Sequence, residues 1–182
     1  MRVIARLGSL SLAVAALTII TAIQMTLVTV DNIIDYHTNY AFVQHVLSMD
    51  TTFKSPNLMW RSIASPGLAT TAYVLVIAWE AVTSVLLLAG SVAWILRRPI
   101  AKTLSAAGWL MQLVLFAGGF LAVGGEWFQM WQSPKWNGLE SATRYLIVAA
   151  VGLVLVHSLR GKEDDPVARS VGHRERAVKE PL

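Results

Sequence analysis

Four long apolar stretches constrain this chain more than any other feature of its sequence. The first, residues 8–30, contains no charged residue. At about 1.5 Å per residue in an α-helix it extends about 34 Å, which exceeds the roughly 30 Å hydrocarbon core of a bilayer. The other three are residues 68–96, interrupted only by Glu80, residues 103–125, and residues 139–159. The pattern predicts an all-α fold, a four-helix transmembrane bundle.

The composition supports a membrane protein and excludes several other classes. Hydrophobic residues make up 55% of the chain and charged residues 14%, against about 45–50% and about 25% in soluble domains. These values exclude a soluble enzyme, a disordered chain and a disulfide scaffold. Cysteine is absent, which excludes thiolate nucleophiles, Cys-ligated zinc and iron–sulfur clusters.

The distribution of basic residues predicts the orientation of the spans. Because the number of spans is even, both termini and the connection after the second span share one side. Eleven of the fifteen Lys and Arg residues lie on that side: Arg2, Arg6, Arg97, Arg98, Lys102, Arg160, Lys162, Arg169, Arg174, Arg176 and Lys179. Both termini are therefore expected in the cytoplasm, with residues 31–67 and 126–138 as outer loops. The excess of basic over acidic residues reflects the membrane topology, so no nucleic-acid partner is expected.

The chain divides into a four-span membrane domain, residues 1–159, and a tail, residues 160–182. The tail mixes charges of both signs and has no helical apolar stripe, which predicts a disordered cytoplasmic segment. The first stretch is longer than the about 7–15 apolar residues of a signal peptide and has no clear A-x-A cleavage site, so an uncleaved first helix is expected.

The first outer loop contains a short amphipathic pattern. Asn39 is a candidate N-cap, and the apolar residues after it recur three and four positions apart: Phe42, Val43, Val46, Leu47 and Met49. A pattern of this length is too short to cross a bilayer. It predicts an amphipathic helix lying over the outer ends of the spans.

The two outer loops resemble one another. Residues 59–62 (MWRS) and 67–68 (GL) match residues 130–133 (MWQS) and 138–139 (GL) at a constant offset of 71, and each match leads into the next span. The match indicates either an internal duplication that would make the halves parallel repeats, or the common use of Trp, Ser and Gly at helix entries near a membrane interface.

Several segments resemble one bacterial family. They are residues 39–53 (NYAFVQHVLSMDTTF), 60–61 (WR), 79–80 (WE), 126–133 (EWFQMWQS) and 136–137 (WN). Through its HVLSMDTTF and WFxMWQS motifs the chain is similar, over about residues 8–158, to a bacterial family of predicted small integral membrane proteins of unknown function. The resemblance implies a multi-pass protein with four spans in the bacterial plasma (inner) membrane. It supplies no substrate, cofactor or catalytic residue.

Glu80 is the strongest intramembrane candidate for a functional group. It lies near the middle of the second span, where an ionised carboxylate costs about 2.5–3.5 kcal/mol on insertion scales. Gln24 in the first span and Gln112 in the third lie at comparable depth and are candidate partners. Two interpretations stay open: a proton or cation site, or a neutral Glu whose hydrogen bond to an amide ties two helices together.

A second candidate site lies in the outer loops. Carboxylates and imidazoles bind divalent metals, although no H-E-x-x-H spacing is present. The alternative is a solvated cap in which Asp50 pairs with Arg61 or Arg144. The candidate residues are Asp31, Asp35, His37, His45, Asp50, Arg61, Glu126, Trp131 and Asn137.

Three functions remain open from the sequence. The first is an accessory or structural subunit that binds a membrane-protein partner, or a second copy, through the glycine-rich third span. The second is a transporter or sensor of a small solute or proton that uses Glu80. The third is a membrane enzyme with a metal in the outer loops, although the sequence shows no arrangement of a nucleophile with an adjacent general base. Because only His157 lies near a position suited to haem ligation, no cofactor is expected.

Overall fold

The computed structural model describes residues 9–159, so the predicted disordered tail and the basic residues Arg2 and Arg6 lie outside the described part. The described residues form helices and no strand, which confirms the all-α prediction. The helices are α1 (Leu10–Ile34), α2 (Tyr36–Ser48), α3 (Pro66–Ile95), α4 (Ala101–Leu113) and α5 (Leu139–Ser158). A π-helix, Val114–Trp127, continues α4, and 3-10 turns at Met59–Arg61 and Met130–Gln132 precede α3 and α5.

Four helical segments are long and apolar enough to cross a membrane, which confirms the four predicted spans. They are Leu10–Ile34, Pro66–Ile95, Ala101–Trp127 and Leu139–Ser158. Two of the helix starts have N-cap hydrogen bonds, in which Ser9 Oγ accepts from the Leu12 amide and Ser65 Oγ from the Leu68 amide. Such a bond satisfies a backbone donor that the first helical turn leaves unpaired.

The four spans form a closed ring. In this ring α1 packs on α3, α3 on α4, α4 on α5 and α5 on α1. Val14, Met25, Leu87 and Trp109 belong to the buried core between them. We call the end that carries α2 and the connections 49–65 and 128–138 the loop end, and the end with the short connection 96–100 the turn end.

Close backbone approach characterises the half of the bundle nearer the turn end. A Cβ atom at Gly108 would lie 2.6 Å from Leu87 Cγ, and one at Gly152 would overlap the ring of Trp109. Real Cβ atoms do not tolerate such contacts, so glycine is needed at both positions for α3, α4 and α5 to pack at this distance.

The loop end is more open because α3 and the third span diverge there. α3 packs along α4 but separates from the π-helix that continues it. The sequence predicted that the third span is one α-helix. In the structure, the Phe128 amide instead donates to the Val123 carbonyl, five residues earlier, as in a π-turn. The resulting space between α3 and the π-helix is occupied by α2, whose Phe42 packs on Phe120.

Helix α2 differs from its prediction in both start and placement. It begins at Tyr36, with only Asp35 between it and the end of α1, and Asn39 lies inside it rather than at its N-cap. It runs along α3 instead of lying over the helix ends: the Tyr36 and Tyr73 rings are 4.9 Å apart. At its far end, the Leu47 carbonyl accepts a hydrogen bond from the Ile63 amide.

The two similar loop segments have the same local backbone structure. In both 3-10 turns a serine amide donates to the methionine carbonyl three residues earlier, from Ser62 to Met59 at 3.0 Å and from Ser133 to Met130 at 3.1 Å. The two connections also contact each other, since the Thr51 hydroxyl donates to Ser133 Oγ at 2.8 Å. The sequence match therefore extends to backbone conformation at this point.

Candidate functional site

Glu80 lies inside the bundle and bonds to an asparagine. Its side chain is 2% exposed, and the Asn32 amide nitrogen in α1 donates to Glu80 Oε2 at 2.7 Å. The Tyr73 hydroxyl, two turns away in α3, donates to the Asn32 carbonyl oxygen at 3.0 Å and lies 3.3 Å from Asn32 Oδ1. Asn32 is thus held by Tyr73 while it orients the carboxylate.

One carboxylate oxygen of Glu80 remains without a hydrogen bond. Within residues 9–159, no donor bonds to Oε1, and no Lys, Arg or His nitrogen pairs with the carboxylate. An ionised carboxylate offers about four lone-pair sites, and Asn32 uses one of them. The group therefore keeps most of its capacity to accept a proton or a cation.

Glu80 lines a cavity of about 240 Å³. The cavity is enclosed by α1, α2, α3, the π-helix and α5, and its polar lining side chains are Asn32, Asn39, Tyr73, Glu80, Ser141 and Tyr145. Ser141, in the first turn of α5, is exposed. The cavity lining thus extends from an exposed residue at the loop end to a carboxylate near the middle of α3.

Aromatic rings form much of the remaining wall. Phe116 stacks on Tyr145 with ring centroids 4.4 Å apart, and Phe120 lies 5.4 Å from Phe116. Phe42 from α2 completes this side, 6.5 Å from Phe120. Gly138 makes room for Phe42, because a Cβ atom there would lie 2.9 Å from Phe42 Cζ.

Exposed charged residues also lie at the loop end of the bundle. Asp31 precedes Asn32 in α1, and Asp35 follows α1 by one residue. Both side chains are exposed. In the first turns of α5, Glu140 and Arg144 form an exposed ion pair. The two aspartates therefore contribute net negative charge near the end of α1 that carries Asn32.

Buried hydroxyl groups continue from Glu80 toward the turn end. Thr29 Oγ1 and Ser84 Oγ lie 3.1 Å apart between α1 and α3. Nearer the turn end, the Thr18 hydroxyl donates to Ser105 Oγ at 3.2 Å, and the Trp94 indole donates to the same oxygen at 3.0 Å. These contacts are interhelical hydrogen bonds of the kind that join membrane spans.

Among residues 9–159, neither of the two glutamines predicted as partners hydrogen-bonds to Glu80. Gln24 is exposed on α1. Gln112 is buried, and its amide nitrogen donates to the Tyr145 carbonyl at 2.9 Å while its Oε1 has no partner. A side-chain amide does bond to Glu80, but it belongs to Asn32 and not to either glutamine.

The outer-loop candidates form separate local contacts rather than one site. Among residues 9–159, no group of three or more His, Cys, Asp or Glu side chains is placed to share a metal ion. Asp50 pairs with His45 at 2.7 Å instead of with Arg61 or Arg144. Arg61 lies over the Trp127 ring, with its Cζ 4.6 Å from the centroid, and Arg144 pairs with Glu140.

The other candidates in this set have structural contacts. The His45 ring stacks on Trp136 at 4.5 Å, and Trp131 meets Phe53 edge to face at 5.9 Å. Asn137 Oδ1 accepts from the Leu139 amide at the start of α5. His37, Asp35 and Glu126 are exposed. The Glu126 backbone carbonyl accepts a hydrogen bond from the side-chain Nε2 of Gln129.

Sequence reasoning missed Asn32, Asn39, Tyr73 and Ser141 as lining residues. The first span was predicted to end at residue 30, which placed Asn32 in a loop, whereas α1 continues to Ile34. The sequence did contain a signal for Asn32. It lies two residues beyond the apolar stretch, so extending the predicted helix by about half a turn would include it.

The fold and the cavity together define a four-span integral membrane protein with one buried, partly unpaired carboxylate. Residues 10–158 match the family described as "Predicted small integral membrane protein (DUF2165)". The chain belongs to this family, whose function is unknown, as the sequence motifs suggested. Comparisons with curated proteins and with solved structures found no match.

Proposed function

We propose that this protein binds a proton or a small cationic solute at Glu80 and acts as a transporter or sensor. One observation carries the proposal: the unpaired Oε1 of Glu80 belongs to a side chain that lines a cavity whose lining also includes the exposed Ser141. Ionisable groups within membrane spans are costly, and they typically mark ion or proton sites.

A purely structural role for Glu80 explains less of the geometry. A helix tie needs one hydrogen bond between two spans, and the bond from Asn32 supplies it. A glutamine in place of Glu80 would form the same bond without the cost of a buried charge. The cavity that Glu80 lines would then have no role. A binding site accounts for both the acid and the space.

The packing of the two ends favours access from the loop end. The exposed lining residue Ser141 lies there, whereas Gly108 against Leu87 and Gly152 against Trp109 bring the helices together nearer the turn end. A transporter would have to separate these contacts to release its solute on the other side. A sensor would respond to the bound ligand without that step.

The orientation proposed for the protein places the loop end outside a bacterial plasma membrane. The support is the basic cluster Arg97, Arg98 and Lys102 at the turn end, since Lys and Arg are enriched in cytoplasmic loops. In this orientation Glu80 binds its ligand from the outer side of the membrane.

A second candidate function is that of an accessory subunit joined to another membrane protein, or to a second copy, through the third span. A specific observation favours it: a Cβ atom at Gly118 would meet no atom within 4 Å, and Gly118, Gly119 and Ala122 are exposed. Small residues on a lipid-facing helix permit close approach of a partner helix.

The primary proposal is tested by carbodiimide labelling of the purified protein in liposomes. A carbodiimide modifies protonated carboxyl groups that it can reach inside a membrane. We expect modification of Glu80 in the wild type, less modification as the external pH rises, and none at this position in Glu80→Gln. Glu126→Gln, which changes an exposed carboxylate, is the matched control. Absence of Glu80 modification at every pH in a folded protein would contradict the proposal.

A pH-sensitive dye inside the same liposomes separates the two forms of the proposal. Proton movement that Glu80→Gln abolishes and Glu126→Gln retains indicates a transporter. Modification of Glu80 without proton movement indicates a sensor. If a membrane protein co-purifies with the wild type in mild detergent and is lost in Gly118→Leu, the accessory function is supported as well.

A further inference from the structure

The ligand class of the Glu80 cavity follows from its charge. Glu80 is the sole Asp, Glu, Lys, Arg or His among the residues that line the cavity. A buried carboxylate is stable in its ionised form when an opposite charge accompanies it. A ligand that fills the cavity while Glu80 is ionised must therefore be a cation.

The lining does not suit a metal cation. Ca²⁺ takes about six to eight oxygen ligands and Mg²⁺ demands an octahedral set. Zn²⁺ favours imidazole and thiolate ligands, and the cavity lining includes neither His nor Cys. Of the few polar groups present, Asn32 and Tyr73 already bond to each other, so the free oxygens are too few for a hard ion.

The aromatic wall suits an organic cation. The lining includes the rings of Phe42, Tyr73, Phe116, Phe120 and Tyr145. A cation over such a ring is attracted by the ring quadrupole, and the attraction is stronger at a desolvated site than at an exposed one. A carboxylate combined with several rings is the arrangement that quaternary and protonated amines favour.

The size of the cavity restricts the ligand further. Its volume is about 240 Å³, which equals the share of roughly eight water molecules in the liquid. A ligand of roughly five to eight non-hydrogen atoms fits this space. The exposed Asp31 and Asp35 near the loop end of α1 would raise the local concentration of such a cation.

We propose that the cavity binds a small organic ammonium ion, an inference that rests on the proposed function of Glu80. The charge of the ion lies beside Glu80 Oε1, and its methyl or methylene groups lie against the aromatic wall. The site takes one ammonium ion from the loop end. The ring pair of Phe116 and Tyr145 and the ring of Phe120 select for a soft, weakly hydrated cation over Na⁺.

Calorimetric titration of the purified full chain in detergent tests this inference. The probes are tetramethylammonium and propylammonium, with tert-butanol as a neutral molecule of the size of tetramethylammonium. We expect at least one ammonium probe to bind and tert-butanol not to bind. Glu80→Gln should weaken that binding tenfold or more, and Phe116→Leu should weaken it about threefold to tenfold. Glu126→Gln should leave it unchanged, and thermal unfolding confirms that each variant is folded.

The outcomes separate this inference from the proposed function. Equal binding of tert-butanol, or unchanged ammonium binding in Glu80→Gln, would overturn the assignment of an ammonium ion. Binding of neither ammonium probe, with carbodiimide modification of Glu80 retained, would also overturn it while the proposed function stands. Protection of Glu80 from carbodiimide by the ammonium probe, but not by NaCl at the same concentration, supports both.

Discussion

The side-chain amide of Asn32 donates a 2.7 Å hydrogen bond to Glu80 Oε2 and thereby joins the loop end of α1 to the middle of α3. Asn32 is held in turn by the Tyr73 hydroxyl. The arrangement fixes one carboxylate oxygen and leaves the other without a hydrogen-bond donor among residues 9–159. Asn32 is therefore a positioning residue for Glu80, and its replacement should affect both stability and the site.

We expect Asn32→Leu to lower the free energy of unfolding by about 1 kcal/mol. Hydrogen bonds between membrane spans average about 0.6 kcal/mol, and bonds to a charged group are worth about 1.5–3 kcal/mol in soluble proteins. The loss of Asn32, the only donor to the Glu80 carboxylate among residues 9–159, lies between these values. Unfolding in mixed micelles, followed by circular dichroism, measures the change.

A double-mutant cycle with Glu80→Leu isolates the contribution of this pair. Once Glu80 is gone, Asn32→Leu should cost less, because no carboxylate remains to lose its donor. Gln24→Leu, on the exposed face of α1, is the matched control and should show no coupling to Glu80. Independent, additive effects of Asn32→Leu and Glu80→Leu would show that the hydrogen bond contributes nothing to stability.

The sequence predicted those parts of the fold that depend on local pattern. Long apolar stretches with few or no charged residues revealed four spans, because an uncompensated charge in a bilayer is costly wherever it occurs. The same cost singled out Glu80. Its partner was not predictable in this way, since hydropathy says which residues are inside the membrane but not which faces of two helices meet. Asn32 and Gln24 are both amides on α1, and only the packing of α1 on α3 distinguishes them.

The cavity itself depends on features that hydropathy does not record. The third span reads as one apolar helix, yet its second half is wound as a π-helix and departs from α3. The placement of α2 between the two depends on tertiary contacts such as Phe42 with Phe120. The amphipathic pattern of residues 36–48 carries no information about the π-helical winding of the third span or about which helices α2 packs against. The pattern therefore predicted the helix but not its position.

Two glycine substitutions should differ in their effect on stability, since one is expected to destabilise the protein and the other is not. Gly152→Val places a branched side chain where even a Cβ atom overlaps the Trp109 ring, and overpacking of this kind costs about 1–3 kcal/mol or more. Gly118→Ala adds a methyl group where no atom lies within 4 Å, so it should be neutral or slightly stabilising. Thermal aggregation in detergent compares both variants with the wild type. Equal stability of Gly152→Val and the wild type would contradict the packing of α4 on α5.

The topology is open to a direct labelling test because the native chain has no cysteine. We expect a cysteine at Asn57, in the first outer loop, to react with a maleimide that cannot cross the plasma membrane. A cysteine at Ile100, which is exposed at the turn end, should react only after the membrane is permeabilised. The expectation follows from the clustering of Lys and Arg at the turn end. The reverse labelling pattern would show that the orientation is opposite to the one proposed, with the loop end facing the cytoplasm.

Cross-linking tests the register of α1 against α3, on which the Glu80 site depends. The hydroxyl oxygens of Thr29 and Ser84 lie 3.1 Å apart, so Thr29→Cys with Ser84→Cys should form an intramolecular disulfide under mild oxidation. A disulfide requires Cβ atoms about 3.5–4.5 Å apart, a condition that a shift of one helical turn would break. Gln24→Cys with Ser84→Cys is the matched control, and because Gln24 is exposed it should not cross-link within one chain. Peptide mapping after proteolysis identifies the bond. Efficient cross-linking in the control pair, or none at 29 and 84, would mean that α1 presents a different face to α3 and that Asn32 does not reach Glu80.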